Sequence, residues 1–186
     1  MKAGARALGI AESAAGEQST LAGAVVRADR VVDGLAFSTC TVGGMDATDA
    51  IVSLVDDIDR PDVEVLLLGA VAPAWYNIVD LSRIARTTDQ SVIAVTFEAS
   101  AGLEDGLSDA FSGDQLEQRL ERYRSLPPRR PVSINGETVY VRTAGIERSR
   151  AETVVREFTP EGGRPEPIRV ARAAARAGRD YRFSDA

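Results

Sequence analysis

The sequence predicts a mixed α/β domain in which an antiparallel three-strand meander leads into parallel strands, with helices on the flanks. Three observations carry this. The run Thr20 to Val42 divides into two β-rich stretches around Ala28-Asp29-Arg30, directly after a short apolar run, Ala7 to Ser13. Two nearly continuous apolar runs, "VEVLLLGA" and "SVIAVTFE", are separated by a helical pattern, which is how parallel strands buried on both faces read. Finally, Asn135-Gly136 stands between two alternating segments, a strong short signal for a β-hairpin.

The remaining elements follow in order. Gly43-Gly44 turns the chain into a helix whose apolar face is Ala47, Ile51, Leu54, Val55 and Ile58; Asp46 stands at its start and Pro61 closes it. "PAWYNIVDLSRIARTT", Pro73 to Thr88, reads as a helix with Ile78, Leu81 and Ile84 inward. The small, polar segment "ASAGLEDGLSDAFSGD" reads as a surface loop, and "DQLEQRLERYRSL" as an amphipathic helix stopped by "PPRRP". Two more helices are expected, Arg148 to Thr159 and Glu166 to Gly178. Residues 179–186 read as a frayed tail, and the whole of 1–186 as one domain.

Composition narrows the chemistry. With 28 acids against 22 bases the net charge is −6, and Lys2 is the single lysine. This acidic, arginine-for-lysine pattern resembles haloarchaeal proteins, in which surface charge serves solvation. At molar salt the screening length is about 3 Å, so local charge clusters matter more than the total. There is no histidine, and the one cysteine, Cys40, lies in an apolar run as a buried thiol would. Any metal therefore falls to oxygen ligands, which favours Mg or Mn over zinc. No run approaches the roughly 20 apolar residues of a membrane helix, and a cytoplasmic, non-membrane protein is expected.

Three stretches, "LGIAES", "TVGGMDATDAI" and "GGRPEPIRVARAAA", together resemble an uncharacterised, largely archaeal group of endonuclease V-like proteins with a ribonuclease H-like fold. The likeness runs from about Gly9 to Gly178, and "MDATD", "YNIVD" and "RPEPIRVA" are its most specific pieces. It implies a nuclease-like site in which acids at neighbouring strand ends hold a divalent ion beside a pocket for a deaminated base. Adjacent strands about 4.8 Å apart put such acids within reach of one ion. Carried over by position, the pattern is depleted. The aspartate expected after Gly9-Ile10 is Ala11, followed by Glu12, which alternation turns to the opposite face. The second acid is matched by Asp46. The third, expected at the end of the central strand, is Gly69. The resemblance thus implies an endonuclease V-like protein with a degenerate metal site, binding nucleic acid or nucleotide without efficient cleavage. Single-stranded or deaminated DNA or RNA is the implied partner. An active Mg- or Mn-dependent endonuclease with a shifted carboxylate set, built from Glu12, Asp46 and Asp80 or Glu98, is the enzyme alternative. A protein-interaction module is a third.

The individual candidates each carry two readings. Asp46, as catalytic residue and with Glu12 as metal ligand, is equally explained as a helix-start acid, and so is Asp49. Trp75 and Tyr76 either stack on a base or pack locally. Asn77 either reads substrate or caps the helix after it. The arginines Arg119, Arg122, Arg124, Arg129 and Arg130, and the stripe Arg169, Arg172, Arg176 and Arg179, suit either a phosphate backbone or ion pairs.

Overall fold

The computed structural model describes residues 4–184. Its centre is a seven-stranded sheet of order β3-β2-β1-β4-β5-β7-β6. Strands β1 (Arg6–Ala15), β2 (Gln18–Arg27) and β3 (Val32–Thr41) form the expected meander. Strands β4 (Val63–Leu68) and β5 (Ser91–Thr96) lie parallel to β1, and the hairpin β6 (Arg130–Ile134) and β7 (Glu137–Ala144) closes the far edge antiparallel to β5. Asn135 and Gly136 both take positive φ, 50° and 82°, as a two-residue hairpin turn requires.

Alternation along the central strands divides the core in two. Leu66 and Leu68 join one cluster with Ile51 and Leu54 of α1 (Ala47–Ile58) and Leu81 and Ile84 of a later helix; Val65 and Leu67 face a second cluster on the opposite side. Both faces being covered explains why β4 reads as an unbroken apolar run.

The segment Pro73 to Thr88 departs from the expected single helix. Pro73–Tyr76 forms one short turn, α2, in which Ala74, Trp75 and Tyr76 all have positive φ (48°, 56° and 62°). A right-handed helix cannot contain them, so the chain breaks at Asn77 and restarts as α3 (Leu81–Thr88), capped by Asp80 accepting from the Arg83 N–H at 2.8 Å. The polar segment after β5 contains a short helix, α4 (Glu104–Ala110), and α5 (Gly113–Arg124) follows.

The last two helices cover the second face. α6 (Arg148–Glu157) buries Ala151, Val154 and Val155, and α7 (Glu166–Phe183) crosses β1 and β2. α7 begins directly on Gly9, where any β-carbon would overlap the Pro167 backbone, so only glycine allows this approach. The helix also passes the expected end at Gly178. Arg179 donates to Ser13 Oγ at 3.0 Å and Arg182 to Thr20 Oγ1 at 3.0 Å, so this stretch is tied to β1 and β2 through Phe183; 185–186 lie outside the described residues. Among the described residues no helix is long and apolar enough to cross a membrane.

Candidate functional site

Asp46 sits between the end of β3 and the start of α1. Its side chain caps none of α1's N–H groups. Instead it accepts from the Thr41 N–H at 3.1 Å, the Thr41 hydroxyl at 2.8 Å and the Asn77 amide at 2.6 Å. Burial opposes its ionisation, yet the Asn77 amide and the Thr41 donors prevail and hold its carboxyl below the usual aspartate value. Asn77 is fully buried. Its amide nitrogen also donates to the Thr41 carbonyl at 2.9 Å, and its amide oxygen accepts the Ala47 N–H at 2.9 Å. Asn77 therefore caps α1, some 30 residues earlier, rather than the helix that follows it, and it presents no free amide to a substrate.

Glu12 lies apart from this network. It is half-buried on β1 and accepts a hydrogen bond from Ser19 on β2. Cys40 is buried; desolvation, followed by the nearby charges of Asp46 and Glu12, pushes its thiol up to about 12, which suits an inert core thiol. Asp49 pairs with Arg83, and Asp80 is occupied as the α3 cap.

The aromatic candidates cluster on the α2 turn. Trp75 is 56% exposed, with its ring centroid 5.1 Å from Phe111 and 6.0 Å from Tyr76, and its indole lies against Gly43. The turn is pinned by the Gly43 N–H donating to the Ala74 carbonyl at 2.7 Å. Much of the predicted basic cluster is engaged in holding this region together. Arg119 is buried, donates to the Gly43 carbonyl and lies 3.9 Å over the Phe111 ring. Arg124 pairs with Glu104 at 2.7 Å, and Arg129 donates to the Ser100 and Glu98 carbonyls.

The strand-end position is a cleft, of about 70 Å³, where β1 and β4 part. Ile10 pairs with Leu68 and the Gly69 N–H donates to the Ile10 carbonyl at 3.0 Å, so Ala11 and Gly69 are the next residues on adjacent parallel strands. A β-carbon at 69 would stand 3.9 Å from that of Ala11, so acids at both positions would converge. Gly69 carries no positive φ that demands glycine; what it meets is the Ile168 γ-methyl, 3.0 Å from where the β-carbon would be. Glu12 also lines the cleft, and so do two arginines, Arg164 and Arg172, which come from the approach to α7 and from its second turn. Arg164 was legible only as part of a resembling motif and Arg172 as one member of a stripe. Only the seating of α7 on Gly9 shows that both reach the strand ends.

These residues do not fit a divalent metal. Asp46 has its oxygens bonded to Thr41 and Asn77, the side chains of Ala11 and Gly69 supply no ligand, and Glu12, the one carboxylate lining the cleft, is bonded to Ser19 and shares the cleft with two guanidinium groups of the ion's own sign. Among the described residues no three acid or cysteine side chains converge as a metal set.

Comparison with known proteins places this geometry. A UPF0215 protein of Pyrobaculum calidifontis is 34% identical over 88% of this chain and 90% of its own length. The crystal structure of a protein of unknown function from Archaeoglobus fulgidus superposes with a TM-score of 0.83 at 26% identity, covering 92% of this chain and 96% of that one. Ciona intestinalis endonuclease V, solved with DNA containing an inosine, shares the fold at a TM-score of 0.62 and 12% identity, over 95% and 86% of the two chains. The fold is thus the ribonuclease H-like one of endonuclease V. Residues 3–178 match the family described as Endonuclease dU, and the chain belongs to that family.

Proposed function

We propose that this chain binds nucleic acid or a nucleotide at the cleft between β1 and β4 and does not cleave it efficiently. The observation that carries the reading is the pair Ala11 and Gly69. They stand side by side at the ends of adjacent parallel strands, where two carboxylates would share an ion, and neither side chain supplies an oxygen. Without those charges an ion is weakly attracted and its bound water keeps a high pKa. Binding is supported by the fold shared with an endonuclease V that was solved on inosine-containing DNA, and by the exposed Trp75 ring, a surface on which a base can stack. We place the protein in the cytoplasm, working at high salt, on its acidic and lysine-poor composition.

The test is a metal-titrated assay at molar KCl on single-stranded DNA and RNA carrying inosine or uracil. The expected result is retention of the oligonucleotide, uncut, with Mg or Mn. Cleavage that depends on metal and disappears in Glu12→Gln would overturn the reading in favour of a shifted catalytic set, since Glu12 is the one carboxylate lining the cleft.

A further inference from the structure

The cleft has lost the acids a cation would need, yet it is not neutral. Arg164 and Arg172 line it, and Arg176 lies one helical turn beyond Arg172. Among the described residues none of the three has a carboxylate partner, whereas two other arginines of α7 do: Arg169 pairs with Glu166 at 2.5 Å and Arg179 with Asp180 at 2.6 Å. Glu12, the only acid lining the cleft, is instead engaged with Ser19. Arg164 is half-buried with its guanidinium 4.0 Å over the Phe97 ring, which fixes its plane. Its loop is held by the Asn135 amide donating to the Thr159 and Gly162 carbonyls, both at 3.0 Å. Burial, then repulsion from Arg172 and Arg176, lowers its affinity for its own proton. Like charges are thus gathered at one cleft in a chain with acid to spare, Arg164 half-buried and Arg172 and Arg176 exposed, an arrangement that an anion between them would satisfy.

We propose that this cleft is an oxyanion site that takes one phosphate group of a phosphate ester, gripped by Arg164 and Arg172. The inference rests on the nucleic-acid reading above and names the part of the ligand that the cleft holds. A planar guanidinium fork matches phosphate oxygens, and Arg164 and Arg172 both line the one cleft. Contact pairs of this kind survive molar salt, where longer-range attraction is screened.

The test uses the full chain in molar KCl with inorganic phosphate as probe, read by calorimetric titration and by melting temperature. Phosphate should bind saturably and raise the melting temperature. Arg172→Gln and Arg164→Gln should each weaken it at least tenfold, with Arg164→Lys in between, while Arg86→Gln on α3 leaves it unchanged. Arg172→Gln should melt no lower than the parent without phosphate, because no partner is lost. A 5′-phosphorylated oligonucleotide that binds more tightly than its 5′-hydroxyl twin identifies a terminal monoester, and equal binding identifies an internal diester. Phosphate that fails to bind, or binds the arginine variants as well as the parent, overturns the proposal. Oligonucleotide retained equally by parent and arginine variants would sink this inference and leave nucleic-acid binding standing. Arginine-dependent phosphate binding with no oligonucleotide retained would do the reverse.

Discussion

Two polar regions near the carboxyl ends of the strands invite comparison. Around Asp46 every charged or polar group has its partner: Thr41, Asn77 and the first turn of α1 close on one another. In the cleft beside Ala11 and Gly69 the charged groups are Glu12, bonded to Ser19, and Arg164 and Arg172, which pair with no carboxylate among the described residues. A satisfied network costs free energy when it is opened, so it holds the fold; the unpaired arginines are, on the proposal above, the groups free to take a ligand. The acid that motif resemblance singles out as catalytic thus lies in a closed hydrogen-bond network, and the arginines line the cleft proposed as the binding site.

The sharpest way to break the comparison is Asn77→Leu. It strands the buried Ala47 N–H and takes the amide donor from the Thr41 carbonyl and from one oxygen of the half-buried Asp46, and should cost about 3–4 kcal/mol in all. For a chain of this size that is a fall of roughly 6–15 °C in melting temperature, measurable by calorimetry. A fall under about 2 °C would mean that the Asp46 region is not the structural one.

Restoring the cleft acts in the opposite sense. The double substitution Ala11→Asp and Gly69→Asp places two carboxylates side by side, provided the Ile168 γ-methyl yields a few tenths of an ångström. Manganese at a hundred times its dissociation constant should then stabilise the variant by about 2.7 kcal/mol and leave the parent unmoved. Adding Arg172→Gln should enlarge the response by removing a like charge from the ion's neighbourhood. A parent that already responds to manganese would show that the cleft can hold a cation as it stands.

Asp46→Ala returns to the first region with a smaller effect. It removes three accepted hydrogen bonds from a half-buried carboxylate and should cost about 2 kcal/mol by denaturant titration. The pH dependence has a definite sign. Because the folded carboxyl titrates below the unfolded value of about 3.9, its contribution is complete above that value and is lost as pH falls through the folded one. Below about pH 4 the parent should therefore lose stability more steeply than Asp46→Asn. Activity lost in an Asp46 variant says little about catalysis unless folding is measured alongside.

Much of this fold is legible in the sequence because local physics decides it. Unbroken apolar character in Val65 to Leu68 marks a strand covered on both sides, and Asn135-Gly136 marks a turn that needs two positive φ angles. The absence of side-chain oxygens at the paired strand ends is also legible, since Ala11 and Gly69 carry none wherever they are placed. What lies beyond local patterns is long-range. Asn77 reaches back some 30 residues to cap α1, and nothing in "WYNIVD" distinguishes that from capping its own helix. Arg164 and Arg172 reach the cleft only because α7 rests on Gly9, more than 150 residues away. The α2 turn misleads locally: Pro73 opens it as a proline opens a helix, and the left-handed Ala74, Trp75 and Tyr76 include no glycine to announce them.

That turn gives the smallest stability effect and a clean separation between packing and binding. Left-handed geometry at Trp75 costs about 1–2 kcal/mol, which Trp75→Gly should recover. The same change removes the ring from Phe111 and Gly43, a loss of similar size for a side chain 56% exposed, so net stability should move by less than about 1 kcal/mol. Base stacking has no such compensation. If the exposed face of the indole meets a base, retention of a single-stranded oligonucleotide should weaken by about 1–3 kcal/mol, which is roughly 5- to 150-fold. Inorganic phosphate, proposed to be held by Arg164 and Arg172 in a cleft that Trp75 does not line, should bind the variant as tightly as the parent. Affinity for the oligonucleotide that survives Trp75→Gly intact would assign the tryptophan to packing alone and leave recognition to the arginines.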